Sequence, residues 1–336
     1  MSDTAVGRHR RLAPLWTLAG LALSAGVLWW LAGHLQLHLA DLREAWAAAD
    51  HTLLALAVVF SVAWHVLVGA HKLKLVLGSM GAPMTYGDAV RLRLGEGPAR
   101  MLLPVRGGEL LTVVYFWRRQ RLSLSEAAGA LAFDRGLNFA GLLLWTLVGA
   151  LLLPSTGLGS GGAAAAVGAC YLAFVFCPPL HDALMAAAAR IHRRAGELAR
   201  GALRPWRELS VGRKLALSAY GVVFVLRPLA VCWLLFAAHG VVVGLAQILT
   251  FGSLSVLAGT LPGPLMGIGP REGAVALLFA GLAPPGSGVP LAVGLLLSLS
   301  VHVLPFAAGA PWAPWLLRRI AEARDVGDDT GDAAAR

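Results

Sequence analysis

Residues 53–69 read LLALAVVFSVAWHVLVG, seventeen positions without one charged side chain. Wound as an α-helix rising 1.5 Å per residue, this stretch is about 26 Å long. That is close to the roughly 30 Å of a bilayer's hydrocarbon core. Residues 12–33, 127–153, 163–180, 215–238 and 291–310 form apolar runs of similar or greater length. Lipid offers no hydrogen bonds to a bare backbone, so such runs must satisfy their own N–H and C=O groups as helices. The chain therefore reads as an all-α, polytopic transmembrane helix bundle of about seven to eight spans. The last third carries broken or re-entrant helices.

Composition agrees. Of 336 residues, 57% are hydrophobic and only 14% charged, where soluble domains carry about 25% charged residues. The longest polar stretch, residues 181–214, reads as a loop with some helical character. A single membrane domain over residues 1–317 is expected, followed by a short, disordered cytoplasmic tail over 318–336 with Asp328, Asp329 and Asp332. Its first helix, preceded by Arg8, Arg10 and Arg11, is too long for the apolar part of a cleaved signal and is expected to be retained. The formal net charge is +10, but the basic residues flank apolar runs, where they set orientation and meet anionic headgroups. No nucleic-acid partner is therefore expected. Cys170, Cys177 and Cys232 lie in spans without metal-ligand spacing, and no HExxH, P-loop or dinucleotide-binding glycine pattern occurs. No metal and no cofactor is expected, and no residue is assigned a catalytic role.

Charge alternation orients the spans. The residues before the first run are net positive. The loop with Asp41, Arg43, Glu44 and Asp50 is net negative, and Lys72 and Lys74 close the second run. Residues 91–121 hold seven arginines against Glu96 and Glu109 and belong to the basic side. The loop rich in arginine from Arg190 to Lys214 does too, while residues 154–162 and 239–244 are free of Asp, Glu, Lys and Arg. By the positive-inside rule both termini are cytoplasmic.

Two polar islands interrupt this pattern. Residues 98–121 read PARMLLPVRGGELLTVVYFWRRQR and residues 261–273 read LPGPLMGIGPREG. Each runs from proline through a hydrophobic pair to glycine with an arginine and a glutamate, a weak internal repeat in which Arg106 to Glu109 fall opposite Pro270 to Gly273. In each, a glutamate opens an apolar helix near its positive end, and the glycines free backbone N–H groups that can hold an anion. Arg106 and Arg271 can pair with the neighbouring Glu109 and Glu272 or grip an anion bidentately. Asp134, Arg135 and Asn138 lie within an apolar run and must point into the bundle, because ionisable groups at membrane depth cost about 2.5–3.5 kcal/mol on insertion scales unless they are paired or hydrated. Arg227, before Pro228, is a further intramembrane charge that can contact a lipid phosphate or reach an interface.

Taken in order, Pro104, Gly108-Glu109-Leu110, Arg118 to Arg121, Asp134-Arg135, Pro262, Gly267-Ile268-Gly269 and Arg271-Glu272 resemble the flippase-like integral membrane proteins related to the transmembrane region of lysylphosphatidylglycerol synthase. The resemblance implies a domain that moves lipids between leaflets of the bacterial inner (plasma) membrane. It also leads to the expectation that aminoacyl transfer is absent, because the soluble domain that performs it is not seen after the last span.

The leading reading is a lipid-binding, translocating protein for an anionic or polar headgroup, with Arg106, Gly108, Glu109, Asp134, Arg135, Arg227, Gly269, Arg271 and Glu272 as the binding set. Its partners would be a membrane lipid headgroup and a separately encoded lipid-modifying enzyme. The alternative is an integral-membrane transferase acting on a polyprenyl- or hopanoid-type lipid-linked substrate, with Glu109 or Asp134 as base or metal ligand.

Overall fold

The computed structural model describes residues 39–102, 107–153, 175–260, 269–284 and 287–322, together with Gly26, Trp29 and Gly33. Among them there is no strand. We number the helices α1 (Leu39–Ala48), α2 (His51–Ser79), α3 (Tyr86–Leu102), α4 (Gly107–Arg119), α5 (Leu124–Leu152), α6 (Pro178–Ile191), α7 (Arg193–Glu208) and α8 (Val211–Ala238), followed by α9 (Leu245–Ala258), α10 (Pro270–Leu278) and α11 (Val289–Glu322). Helices α2, α5, α8 and α11 are each long and apolar enough to cross a membrane. The expected first span, residues 12–33, and most of the expected fourth, 163–180, lie outside the described residues. So does the tail beyond Glu322.

Helix α2 runs ten residues past the uncharged stretch that announces it. Asp50 starts it by accepting the Thr52 and Leu53 N–H groups at 2.8 and 3.2 Å, which satisfies donors the first turn leaves orphaned. These two bonds, Leu53 first, hold the Asp50 carboxyl below the usual carboxylate range. The sequence reading closes this span at His71, Lys72 and Lys74, but the helix does not stop there. It continues to Ser79, because Leu73 and Leu77 keep burying against α3 and α4, Val76 against α5, α7 and α8, and Lys72 finds counter-charges, described below.

The bundle is built from two halves with inverted direction. The start of α2 meets the end of α8, where the Asp50 N–H donates to Ala238 O at 2.7 Å. At the other end Val76 of α2 packs with Leu217 of α8. The two are therefore antiparallel. Helix α5 begins beside the end of α2, with Ala127 and Ala130 against Leu73 and Leu77. Helix α11 begins at the opposite end, with Gly288 against Asp41, and finishes with Leu316 and Ile320 among the residues that surround the start of α5.

Between each pair of long helices lies a short helical hairpin that does not cross. Helix α3 leaves the end of α2 and enters the bundle. Helix α4 returns to the same end, where Arg118 donates to Ile320 O at 3.3 Å. Helix α9 leaves the end of α8, packs Leu249 and Thr250 against Gly149 of α5, and reaches inward to Gly259 beside the Arg271 guanidinium. Helix α10 then returns, stacking Phe279 on Phe236 and Phe251. Val243 before α9 and Ala283 after α10 belong to one apolar cluster. Helices α9 and α10 thus leave and return to the same end of the bundle. The two hairpins enter from opposite ends. Order and direction make α2–α5 and α8–α11 an inverted repeat of the kind that places binding sites at the membrane midplane.

The repeat read from sequence is real in position but shifted by one residue. Glu109 is the third residue of α4 and Glu272 the third of α10, so glutamate lies over glutamate and Gly108 over Arg271. The stretch 181–214, read as a loop with some helical character, is almost entirely helical, forming most of α6, all of α7 and the first residues of α8; α6 and α7 pack on each other and α7 packs on α5.

Candidate functional site

Where the hairpins approach each other, the bundle holds a cavity of about 750 Å³. Its charged and polar lining is His65, Glu109, Arg135, Asn138, Arg227, Thr260, Arg271 and His302, set among apolar residues that include Phe139, Leu142, Phe224, Val301 and Pro305. The lining respects the repeat. His65 and Pro228, Gly97 and Thr260, Asn138 and Val301, Phe139 and His302, and Leu142 and Pro305 all line it, each pair 163 residues apart. Arg135 stands about 17 Å along α5, a helix some 44 Å long, so the cavity lies near mid-depth.

One wall comes from the first half. Arg135 Nε lies 3.6 Å from Glu109 Oε1, and both side chains are partly open to the cavity, 32% and 24% exposed. That distance is an ion pair without a hydrogen bond, and Arg135 Nε and Nη2 have no hydrogen-bond partner among the described residues. The facing wall comes from the second half. Arg271 Nη1 donates to Ser298 Oγ at 3.0 Å, and Ser298 in turn donates to Glu272. The other Glu272 oxygen accepts the Gly269 N–H at 2.5 Å. Gly269 has φ +105°, a conformation that suits a residue without Cβ. That turn lets Glu272 reach back to close the helix start. Gly259 leaves the room for Arg271, since a Cβ there would stand 2.6 Å from Nη2. Arg227, on α8, completes the cationic lining.

Behind the first wall is a second polar cluster that the sequence reading did not assemble. Asp134 is fully buried. Lys72 Nζ lies 2.9 Å from its Oδ1, and Arg93 Nη2 donates to both its oxygens at 3.2 Å. Arg93 also donates to Glu96 at 2.9 Å and to Gly69 O at 3.2 Å, and Thr112 Oγ1 donates to Glu96 at 3.0 Å. Lys72 donates to Asn138 as well. Two cations and two carboxylates make this quartet neutral, which is why charges expected at the basic surface can sink to this depth. The quartet joins α2, α3 and α5, and Thr112 ties α4 to it. Its equivalents in the second half, 163 residues on, are Leu235, Val256, Gly259 and Leu297. The halves share a backbone plan and differ in what fastens it.

Of the expected binding set, Glu109, Arg135, Arg227 and Arg271 come together on the cavity wall. Glu272 and Gly269 stand behind Arg271, and Asp134 stands behind Arg135. Gly108 is the second residue of α4, and Arg106 lies outside the described residues. His65, Thr260 and His302 join the lining without having been expected there. Lys72, Arg93 and Glu96 did leave a signal: Arg93 and Glu96 are three apart, on one helix face, and the apolar pattern resumes after Lys72. Among the described residues no group of three or more His, Cys, Asp or Glu side chains is placed to hold a metal ion.

A polytopic helical membrane protein with an arginine-lined hollow at mid-depth is the class that this fold and site define. The family model described as the lysylphosphatidylglycerol synthase TM region matches residues 17–313, and the chain belongs to that family of membrane, lipid-related proteins. No curated protein matches the chain in a sequence search.

Proposed function

We propose that the protein binds the anionic headgroup of a membrane lipid in the cavity and carries it between leaflets, the acyl chains staying in the surrounding bilayer. The observation that carries this reading is the convergence of Arg135, Arg227 and Arg271 with Glu109, the one lining carboxylate among the described residues, on one largely apolar hollow. Several guanidinium groups gathered at such depth favour an anion beside them, and arginine presents the planar donor fork that suits a phosphate. Glu109, 3.6 Å from Arg135, acts as an exchangeable partner that releases the guanidinium when a headgroup enters.

The inverted repeat supplies a route. A site between two re-entrant hairpins that enter from opposite ends can be exposed to each leaflet in turn by small movements of one half against the other. The hairpin α3–α4 is fastened by the buried quartet, whereas α9–α10 is held by apolar packing and the Arg271–Ser298–Glu272 chain, so α9–α10 is the half we assign to move. We place the protein in the bacterial inner membrane. The end that gathers Lys74, Arg91, Arg118, Arg119 and the arginines of α6 and α7 faces the cytoplasm, by the positive-inside rule.

The test is translocation in reconstituted vesicles of fluorescent lipids that differ only in headgroup. Anionic-headgroup lipid is expected to cross at a rate that Arg271→Gln reduces at least tenfold while the protein remains folded. Equal rates for anionic and zwitterionic headgroups, unchanged by Arg271→Gln, would refute the reading.

A further inference from the structure

Helices α6 and α7 fall between the two halves and have no counterpart in either. They form a hairpin against the start of α5. Gly201 sits on Ser125 so closely that a Cβ would stand 2.3 Å from its carbonyl oxygen. Trp206 packs edge-on to Phe133 with ring centroids 4.4 Å apart. The hairpin is therefore a fixed part of the end that carries the basic residues.

Its outer surface joins two properties. Residues 178–214 contain eight Arg or Lys against Asp182, Glu197 and Glu208, an excess of five positive charges. The three acids are already used in ion pairs with Arg207, Arg193 and Arg204. Arg190, Arg194, Arg200 and Arg213 are exposed and make no ion pair among the described residues. Beside them α6 shows an apolar row, Leu184, Ala187 and Ile191, at the three- and four-residue spacing of one helix face. Leu184 is 41% and Ile191 82% exposed. Leu198 of α7 is also exposed, at 49%. An apolar row bordered by uncompensated arginines, held at the end of a bundle that already spans the bilayer, matches the boundary between acyl chains and anionic headgroups.

We infer that the α6–α7 hairpin, with the start of α8, is a second lipid-binding surface, separate from the cavity, that seats its apolar row in the headgroup boundary and binds the anionic lipids of that leaflet through Arg190, Arg194, Arg200 and, on α8, Arg213. Each arginine near an anionic surface strengthens binding by about fivefold, so the four act as a patch and not singly. The inference does not rest on lipid translocation.

The experiment places a bimane label on Ile191→Cys in full-length protein in which Cys170, Cys177 and Cys232 are alanine, reconstituted in nanodiscs whose lipids carry bromine on their acyl chains. With anionic phosphatidylglycerol in the disc the label is expected to be quenched. The quenching should fall sharply in discs of phosphatidylcholine alone, in high salt, and in the variant with all four arginines changed to glutamine. Quenching that ignores headgroup charge, salt and the arginines would overturn the inference. So would a label that stays unquenched in both discs, which would leave the hairpin in water as a surface for a protein partner. Retained anionic lipid counted by native mass spectrometry gives a second readout. The four-arginine variant should lose bound phosphatidylglycerol relative to the parent, and equal retention would also overturn the inference.

Discussion

Glu109 and Glu272 occupy the same place in the two halves of the molecule, each the third residue of the returning arm of a re-entrant hairpin. Each faces the residue 26 positions further along the chain. For Glu109 that residue is Arg135, at 3.6 Å. For Glu272 it is Ser298, which donates a hydrogen bond to it. One glutamate therefore stands in a loose ion pair at the cavity wall. Its counterpart is fully buried and structural, closing its helix start through Gly269 and orienting Arg271 through Ser298. Glu109→Gln should leave the melting temperature in detergent nearly unchanged while altering lipid affinity. Glu272→Gln should lower the melting temperature by several degrees, because the buried Gly269 N–H and Ser298 hydroxyl lose a charged acceptor.

The quartet predicts strong coupling. Asp134→Asn removes the carboxylate that Lys72 and Arg93 share and leaves two buried cations with one carboxylate, Glu96. Breaking a buried pair in this way costs about 3–5 kcal/mol. Lys72→Met combined with Asp134→Asn should recover a substantial part of that loss. Thermal melting of the two single variants and the double variant checks this, and strictly additive losses would show that the two residues are not coupled.

Gly259 and Gly309 are both tight, for different reasons. A Cβ at 259 meets the Arg271 guanidinium, the far end of a flexible side chain. A Cβ at 309 would stand 2.1 Å from the backbone carbonyl of Leu94, which cannot yield. Gly259→Ala should fold and lose most headgroup binding. Gly309→Ala should lose stability outright, because it separates α11 from α3. Melting temperature and lipid binding measured on both variants distinguish the cases.

The hairpins fix which positions share a side of the membrane. In a background with Cys170, Cys177 and Cys232 replaced, Val242→Cys and Gly281→Cys should react with an impermeant maleimide from one side. Thr85→Cys and Arg119→Cys should react from the other. All four are exposed at hairpin ends. Labelling of positions 242 and 281 from opposite sides would mean that α9 and α10 together cross the bilayer.

Asp50 gives a pH dependence outside the spans. Its pKa is lowered in the folded state by the Leu53 and Thr52 N–H groups. Its contribution is thus complete above the unfolded carboxylate value of about 3.9 and is lost as pH falls through the lower folded value. The melting-temperature difference between the parent and Asp50→Ala should be constant from about pH 5 to 8 and should shrink in stronger acid.

Much of the architecture was legible because lipid leaves a chain few choices. Uncharged runs such as 53–69 have to be helices, and the Gly/Pro-rich stretch around residues 261–290 signalled a break. What the sequence could not give was depth. Lys72, Arg93 and Glu96 read as surface charges, because a window of hydropathy counts charges without knowing that they cancel across α2, α3 and α5. The one-residue error in the repeat had a related cause. The sequence register sets Arg106 opposite Pro270 and Glu109 opposite Gly273, whereas the third position of each helix, where a glutamate can face its own helix start, is what the two halves share. Arg135 and Arg271 stand out in the sequence because each follows or precedes an acidic residue at a point where lipid would not accept it.

The central claim is that the mid-depth cavity holds an anionic headgroup by its arginines. Native mass spectrometry of the protein titrated with phosphatidylglycerol and phosphatidylcholine of matched acyl chains tests it most directly. The account predicts preferential retention of phosphatidylglycerol, weakened at least tenfold by Arg135→Gln or Arg271→Gln and still present when Arg190, Arg194, Arg200 and Arg213 are glutamine. Equal retention of the two lipids, or a preference that survives loss of both Arg135 and Arg271, would contradict it.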